Sequence, residues 1–459
     1  MLREEASYRD PSGTVFYVGD RVYRGLDATG LANWTALSTT KFFDAGVKYG
    51  SLVATSQAPP ESVGISDYAA VLEHERIPFI SYPYEWSFEM LRDAAATHLD
   101  LLRASLDENL TMKDGYSFNM QFRGAQPIFI DIGSFEPVAA GPWIGYRQFC
   151  QSFLYPLLLE AHLGVPFQRF LIGHLEGLEP TEMRRIFTGR KRFRKGVFKH
   201  VFLHSVAESN VTGGGRDIQR DLGKQGFSKE LTKATAKKLS QLIGSLRSRR
   251  ADSGWKAYRE TCSYSDADRE AKEQLVTSVV ESRDLNLVWD LGANDGAYAR
   301  IAAQHAKYVV ACDSDDVTVD AMYRSLRDDG VSNVLPLVMN VMDPSPARGW
   351  RGLERRAFSD RGRADLVMAL ALIHHLAIAS NVPLPEVVAW MRQFDAPLIV
   401  EFVESHDPMA ARLLANKPEG QFPDYRIDVF EKLLSEAYSI TQSVRLPSGS
   451  RTLYVVEPR

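Results

Sequence analysis

The sequence predicts an α/β protein whose last third forms a doubly wound, mostly parallel sheet of seven strands. In that third, short apolar runs alternate with stretches of helical periodicity, which is typical of strand–helix–strand units. The last two runs are joined through Leu446–Ser450 with no room for a helix, so these two strands are expected to form an antiparallel hairpin. The seven runs are LVWDLG, KYVVACD, NVLPLVMN, ADLVMALAL, APLIVEFVE, YSITQSV and TLYVVE.

The beginning of the chain predicts a second architecture, of the α+β type. Strand-like runs such as TVFYVGD, RVYRGL and QPIFIDIG accompany one long helical stretch, FEMLRDAAATHLDLLRASLDENL. A chain of 459 residues is also too long for a single ordinary core. We therefore predict an accessory domain over residues 1–175, a basic helical linker over 176–265 and the sheet domain over 266–459.

The composition excludes several classes of protein. The chain is 45% hydrophobic and 24% charged, with a net charge of −4, which is ordinary for a folded globular protein. Its three cysteines lie far apart without the spacing of metal ligands, so we expect neither a disulfide framework nor a metal site. No apolar run reaches the roughly 18 residues of a transmembrane segment. The polar N-terminus differs from a signal peptide, and we expect a cytoplasmic protein.

A glycine-containing turn follows the first strand of the predicted sheet. The strand ends at Asp290, and Gly292, Asn294 and Gly296 come directly after it. Glycines at such a turn allow the backbone to bend sharply and to approach a ligand closely. The next helix then presents free N–H groups at its N-terminus. These four residues are predicted to contact a bound cofactor.

The later strands of the sheet add further candidates at the same edge. The second strand ends at Asp313, followed by Ser314, and an acid at this position can accept both hydroxyls of a ribose. The third strand ends in Asn340 and Val341, where an amide can meet the amino group of an adenine. Leu370 ends the fourth strand. All five are predicted to bind the cofactor.

Together with the C-terminal hairpin, these positions favour a class I S-adenosylmethionine-dependent methyltransferase over a dinucleotide-binding enzyme. The stretches LVWDLGANDGAYARIA, VVACDSDDVTVDAMYR, VLPLVMNVMDPSPARGW, ADLVMALALIHHLAIASNVPL and LIVEFVESHDPMAARLL resemble the NoeA-type family of nodulation methyltransferases. The resemblance extends to PFISYPYEWSFEMLRDAA and IGYRQFC, and thus to most of the chain. It implies S-adenosylmethionine as the cofactor and the tailoring of a glycan or a small molecule.

Methyl transfer from a sulfonium requires alignment of the acceptor and, for oxygen or nitrogen, a base. His374 and His375 follow the fourth strand at the edge where open α/β folds place ligands, and histidine can act near neutral pH. Glu401 and Glu404, at the end of the fifth strand, are the next candidates. Tyr298 is expected to line the cofactor site. We predict His374, His375 and Glu401 as catalytic, with packing, capping or solvated roles as the alternatives.

The N-terminal domain contains a spacing that resembles kinase-like phosphotransferases. Asp114, Asn119 and Asp131 match the catalytic loop and the metal-binding turn of that fold. The sequence departs from the pattern because no glycine-rich phosphate loop precedes Lys41. In addition, Arg24 occupies the place of the ATP-binding lysine. We therefore predict a kinase-like domain that is catalytically inert, with turn and cap residues as the alternative interpretation.

The middle of the chain is strongly basic. Between Met183 and Arg250, 18 Lys and Arg residues face 4 Asp and Glu residues. A solvated linker, a nucleic-acid site and an anionic membrane or glycan site all fit residues 184–250. The function predicted overall is methyl transfer to an oxygen or nitrogen acceptor on a small molecule or glycan. The alternatives are a phosphotransferase with a regulatory methyltransferase domain and an RNA methyltransferase that uses the basic segment.

Overall fold

The computed structural model of the chain divides into two compact units. Unit 1 comprises Met1–Ala251 together with Ala347–Arg355, and unit 2 comprises Asp252–Pro346 together with Arg356–Arg459. Each unit is described by itself below. The residues that the structure describes are 2–59, 64, 67–139, 141–206, 229–250 and 265–459.

Unit 1 contains a five-stranded antiparallel sheet with the order β1-β2-β3-β5-β4, and two smaller pairs, β6 with β9 and β7 with β8. The strands are β1 (Leu2–Arg3), β2 (Gly13–Val18), β3 (Arg21–Leu26), β4 (Thr55–Ala58), β5 (Ala70–His74), β6 (Leu110–Met112), β7 (Met120–Arg123), β8 (Gln126–Phe129) and β9 (Phe135–Pro137). The strands of this unit pair antiparallel throughout, without parallel strand–helix–strand crossovers, so the unit is of the predicted α+β type.

The helices of unit 1 centre on α3, the long helix expected from the sequence. Ser87 caps its N-terminus, and its apolar stripe is buried, as the helical spacing of Leu91, Ala95 and Leu102 predicts. The helices are α1 (Ala28–Ser38), α2 (Lys41–Lys48), α3 (Phe88–Asp107), α4 (Tyr146–Phe149), α5 (Tyr155–Leu163), α6 (Gln168–Gly173), α7 (Pro180–Ile186) and α8 (Lys229–Ser245), with π-helical turns at Cys150–Leu154 and Phe198–Leu203.

The division of the chain differs from the predicted domain boundaries at 175 and 265. The described parts of the basic segment, 176–206 and 229–250, belong to unit 1 and do not form a separate linker. Helix α8 packs on α3, where Lys233 forms an ion pair with Asp107. Residues 207–228 and 251–264 of the predicted linker lie outside the described residues.

Unit 2 contains a seven-stranded sheet with the order β12-β11-β10-β13-β14-β16-β15. Strands β10 to β14 are parallel to their neighbours, and β16 runs antiparallel to both β14 and β15, as the short C-terminal turn predicts. The strands are β10 (Leu285–Leu291), β11 (Ala306–Asp313), β12 (Val334–Val338), β13 (Leu366–Ala369), β14 (Leu398–Val403), β15 (Tyr438–Arg445) and β16 (Arg451–Pro458).

Helices connect the parallel strands and cover the sheet, whose central strands are almost completely buried. They are α9 (Asp266–Glu281), α10 (Ala297–Ala303), α11 (Asp316–Asp328), α12 (Leu384–Arg392), α13 (Pro408–Leu414) and α14 (Ile427–Ala437), with a π-helical turn at His375–Ala379. The strand order reverses at β10, which pairs with β11 on one side and β13 on the other. A ligand crevice is expected at the carboxyl ends of these strands. In the described part of the chain, no helix has the length and apolar character needed to cross a bilayer.

Candidate functional site

A cavity of about 480 Å³ opens in unit 2 at the carboxyl edge of the parallel strands. Side chains from the ends of β10, β11, β12 and β13 meet there, as the topology predicts. Two predicted site residues, Gly296 and Glu401, are not part of the lining. Those that line the cavity are Asp290, Gly292, Asn294, Asp313, Ser314, Asn340, Val341, Leu370, His374 and His375.

The turn after β10 has the strained backbone that its glycines suggested. Gly292, Asn294 and Gly296 all have positive φ values, of 79°, 52° and 81°. Asparagine tolerates this region better than most residues, which explains its place between two glycines. A Cβ on Gly296 would lie 2.7 Å from the Sδ of Met322. Gly296 therefore allows the turn to pack against Met322, and it does not line the cavity.

Asp313 is held in place by the backbone around it. Its two carboxylate oxygens accept hydrogen bonds from the N–H of Asn294, at 3.0 Å, and of Asp315, at 2.9 Å. Burial raises the pKa of Asp313, and these hydrogen bonds partly oppose the increase. These hydrogen bonds do not use the whole acceptor capacity of the carboxylate, so it can also accept from a ligand. This arrangement suits the two hydroxyls of a ribose.

Asp290 lies deeper in the cavity and is only 2% exposed. Its Oδ2 has no hydrogen-bond partner among the described residues. Burial raises the pKa of Asp290 to about 7, against the attraction of the Lys272 ammonium. A buried carboxylate oxygen with unused acceptor capacity suits a cationic ligand. Together with Asp313, it fits a cofactor that carries both a ribose and positive charge, as S-adenosylmethionine does.

Asn340 and Val341 form the wall of the cavity after β12. The side-chain oxygen of Asn340 accepts a hydrogen bond from the N–H of Met342, at 3.0 Å. Asn340 therefore caps a local turn and also faces the cavity. The cap does not use the whole hydrogen-bonding capacity of the amide, so the contact with adenine remains a prediction.

The two histidines begin the π-helical turn after β13, and their ring centroids are 4.2 Å apart. His374 is 1% exposed, and its Nδ1 has no hydrogen-bond partner among the described residues. Burial lowers the pKa of His374 to about 3, so its ring is neutral at physiological pH. Burial also lowers the pKa of His375, whereas the charge of Asp313 opposes this effect. The structure thus corrects the expectation that His374 titrates near neutral pH.

Glu401, which was predicted as a catalytic base, is completely buried in an ion-pair network. Its Oε2 accepts from the Nζ of Lys272 at 2.7 Å, and its Oε1 accepts from the NH1 of Arg451 at 3.2 Å. Arg451 also binds both oxygens of Asp407, at 2.8 and 3.0 Å. A carboxylate between two cations is a poor proton acceptor. Glu401 therefore does not line the cavity, but it holds two residues that do, Lys272 and Arg451. Glu404 also lies outside the lining and pairs with Arg445.

The structure adds lining residues that the sequence analysis did not single out: Lys272, Arg451 and Met409. Lys272 lies 4.6 Å from the centre of the Tyr298 ring, and Tyr298 lines the cavity as expected. One signal was present in the sequence, because Lys272 interrupts the apolar stripe of α9 that Leu275 and Val276 continue. A lysine in a buried helical stripe requires a buried partner.

Unit 1 brings together the residues of the predicted kinase-like spacing. The amide of Asn119 donates to Asp131 at 3.4 Å, and the Ser134 hydroxyl contacts both Asp131 and Asp114. The NH1 of Arg24 binds Asp131 at 2.9 Å. Burial alone would raise the pKa of Asp131, but the charge of Arg24 and its hydrogen bonds keep it below the ordinary value. Asp131 is therefore engaged by an arginine.

In unit 2, the strand order, the antiparallel last strand and the glycine turn are those of class I methyltransferases. An acid at the end of the second strand, Asp313, completes that pattern. The chain is a class I S-adenosylmethionine-dependent methyltransferase. Nodulation protein NoeA of Rhizobium meliloti (strain 1021) is 35% identical to it over 464 aligned positions, covering 99% of this chain and 96% of that protein. The chain belongs to the NoeA family. No protein-family model matches the chain.

Solved structures that are similar to the chain cover less than half of it. N-methyltransferase NodS from Bradyrhizobium japonicum WM9 is 13% identical, with a TM-score of 0.32, over 42% of this chain and 98% of that one. Magnesium protoporphyrin IX methyltransferase from Synechocystis PCC 6803, with bound S-adenosylhomocysteine, is 17% identical. Its TM-score is 0.32, over 45% of this chain and 95% of that one. The fold assignment rests on the strand order and not on these likenesses.

Proposed function

We propose that the chain transfers a methyl group from S-adenosylmethionine to an oxygen or nitrogen atom of a small molecule or glycan. The buried Nδ1 of His374, in the wall of the cavity, carries this proposal. A neutral imidazole nitrogen accepts a hydrogen bond, and hydroxyl and amine acceptors both carry the required donor. The choice of a small molecule or glycan rests on membership of the NoeA family.

Most of the residues that are proposed to bind the cofactor line the cavity. Asp313 and Ser314 hold the ribose, Asn340 and Val341 flank the adenine, and Asp290 faces the positively charged part of the ligand. The turn from Gly292 to Gly296 allows close approach of the backbone. Leu370 contributes apolar surface. Bound S-adenosylmethionine supplies an activated methyl group on a sulfonium, so the protein does not need to activate the donor.

His374 positions the acceptor and His375 stands at the cavity wall. Bound S-adenosylmethionine would supply the methyl group and leave as S-adenosylhomocysteine, and the acceptor oxygen or nitrogen would be the nucleophile. The acceptor proton then leaves through the hydrogen bond to His374 or to water. Because its pKa is about 3, His374 mainly orients the acceptor and does not store the proton.

For unit 1, we propose a kinase-like arrangement without phosphotransfer activity. Asp114, Asn119 and Asp131 lie together, in agreement with the spacing in the sequence. Asp131 would be needed to hold a metal ion, but its Oδ1 is bound to Arg24. Among the described residues, no group of three or more potential ligands is arranged to hold a metal ion. This arrangement supports an accessory unit.

The direct test is methyl transfer from radiolabelled S-adenosylmethionine to cell extracts that have been separated into protein, nucleic-acid, glycan and small-molecule fractions. We expect label in the glycan or small-molecule fraction. The double variant Asp290→Ala/Asp313→Ala should lose cofactor binding in calorimetry. His374→Ala should keep cofactor binding and lose activity by roughly 100-fold, because the acceptor is no longer oriented. Label in the nucleic-acid fraction would instead identify an RNA methyltransferase, and cofactor binding that ignores the two aspartates would contradict the proposed site.

A further inference from the structure

A short helix in unit 1 has apolar side chains on two opposite sides. It contains the π-helical turn Phe198–Leu203 and continues to residue 206. One side, with Val197 and Val201, is completely buried. The opposite side is also apolar, although an outward helix face is usually polar. It is therefore an apolar surface that the interior of unit 1 does not use.

The outward side is formed by aromatic and aliphatic residues together. Phe198 is 46% exposed, Leu203 52% and Val206 44%, and Phe193 from the preceding turn is 64% exposed. The rings of Phe193, Phe198 and Phe202 are stacked in sequence, with centroids 6.1 and 6.5 Å apart. We call Phe193, Phe198, Phe202, Leu203 and Val206 the apolar face.

The stretch of sequence that carries the apolar face is rich in cations. From residue 183 to residue 206 the sequence contains no Asp or Glu. Within the described part of the chain, no carboxylate lies within ion-pair distance of the basic residues of this stretch. Two of them, Arg192 and Arg184, lie over rings of the face, 4.7 and 5.9 Å from the ring centroids. The basic residues are Arg184, Arg185, Arg190, Lys191, Arg192, Arg194, Lys195 and Lys199.

We propose that the apolar face and its ring of cations dock on the surface of an anionic phospholipid bilayer. Exposed Phe and Leu side chains flanked by Lys and Arg are the combination that inserts at the headgroup boundary of a membrane. Each basic residue near an anionic surface adds favourable electrostatic energy. Eight cations within residues 183–206, a stretch without Asp or Glu, favour an anionic partner.

The same surface fits single-stranded RNA less well. RNA-binding platforms use open aromatic faces on which bases stack. Here Phe198 already stacks with Phe193 and with Phe202, which leaves less of its ring available to a base. The face also contains the aliphatic side chains of Leu203 and Val206, which can enter a lipid interface but offer no stacking surface to a base.

The test is flotation of the full-length protein with vesicles of phosphatidylcholine, with or without phosphatidylglycerol. We expect binding only to vesicles that contain phosphatidylglycerol. Phe193→Ser/Phe198→Ser should weaken this binding by about tenfold or more, through lost apolar contact. Arg190→Gln/Lys191→Gln should weaken it about 30-fold, since each cation contributes roughly 1 kcal/mol at such a surface.

Matched controls lie elsewhere on unit 1. Tyr49→Ser removes another exposed aromatic side chain, and Lys237→Gln/Lys238→Gln removes two exposed cations of α8; neither should change binding. Circular dichroism confirms that each variant is folded. The proposal would be overturned if the wild type failed to bind phosphatidylglycerol vesicles or bound equally well to phosphatidylcholine alone. It would also be overturned if the Phe193/Phe198 and Arg190/Lys191 variants both bound as the wild type does. The proposal would also fail if the Phe193/Phe198 substitutions weakened binding to poly(U) but not binding to vesicles.

Discussion

At the scale of single residues, the buried carboxylate of Asp290 lowers the stability of the folded protein when it is charged. Its pKa is about 7 in the folded protein, because of burial, and its ordinary value is 3.8. Between these values the folded state binds more protons than the unfolded state. Stability therefore falls as the pH rises through this window. The cofactor site retains a buried carboxylate although the empty protein would be more stable without it.

Asp290→Asn tests this balance. At about pH 8 we expect the variant without cofactor to be more stable than the wild type, because it buries no charge, with the difference vanishing near pH 4. At both pH values it should bind S-adenosylmethionine much more weakly. Urea denaturation and calorimetry measure the two effects. A variant that is less stable than the wild type at the higher pH would show that the charge of Asp290 is compensated in the protein alone.

Gly296 provides a second residue-scale prediction. Gly296→Ala should cost about 2–3 kcal/mol, from a positive φ and from contact with Met322. Gly330→Ala is the matched control, since Gly330 also has a positive φ but no atom within 4 Å of an added Cβ. We expect it to cost only about 1 kcal/mol. Equal losses of unfolding free energy for the two variants in denaturant titrations would mean that the contact with Met322 contributes nothing.

The residues at the strand ends could be predicted because parallel strands bring their carboxyl ends to one edge. Asp290, Asp313 and His374 therefore lie around one cavity, as expected. The role of Glu401 could not be predicted in the same way. Its partners, Lys272 and Arg451, lie 129 and 50 residues away in sequence, and only packing brings them to it.

At the scale of elements, the buried ion pairs join four parts of unit 2. Lys272 lies on α9, Glu401 on β14 and Arg451 at the start of β16. Asp407, just before α13, binds Arg451 through both of its oxygens. Burial would raise the pKa of Asp407, but the hydrogen bonds from Arg451 and Ser450 lower it below its ordinary value. Its contribution to stability is therefore lost as the pH falls through that lowered pKa.

Glu401→Gln should destabilise the protein by about 3–5 kcal/mol, because it removes the buried carboxylate that pairs with Lys272 and leaves Arg451 with Asp407 alone. The matched control is Glu404→Gln. Glu404 pairs with the exposed Arg445, and we expect a loss of less than about 1 kcal/mol. Urea denaturation measures both variants. If Glu401→Gln abolished methyl transfer without loss of stability, Glu401 would be a base after all.

The secondary structure of unit 2 was the most predictable level of the molecule. Fully buried strands such as β14 are continuous apolar runs, and a turn of five residues leaves no room for a helix between β15 and β16. Unit 1 was less predictable, because its strands are short and half-buried. The position of α8 against α3 depends on packing between segments more than 100 residues apart.

At the scale of the whole molecule, the chain folds as two units and not as two domains with a linker. The predicted boundary at 175 follows a change in composition, where the charge becomes strongly positive. Charge is a property of the surface, whereas domains are set by buried contacts. Helix α8 buries Ala236, Leu239 and Ile243, which ties the basic segment to unit 1.

Two units predict two thermal transitions. In differential scanning calorimetry, S-adenosylhomocysteine at about 100 times its dissociation constant should raise one transition by about 5–10 °C and leave the other unchanged. Gly296→Ala should lower the transition that the ligand raises, which assigns it to unit 2. A single transition that responds as a whole to ligand would show that the units unfold together.

The carboxylate of Asp313 has a further consequence for the kind of sugar the cavity accepts. Its orientation is set before a ligand arrives, because the N–H groups of Asn294 and Asp315 hold one oxygen each. A vicinal diol satisfies the remaining acceptor sites of both oxygens at once. With Asp313 as the proposed ribose ligand, a deoxyribose would leave one of these sites without a donor, at a cost of about 1–3 kcal/mol. The backbone around Asp313 would thereby give the cavity selectivity for ribonucleosides over deoxyribonucleosides.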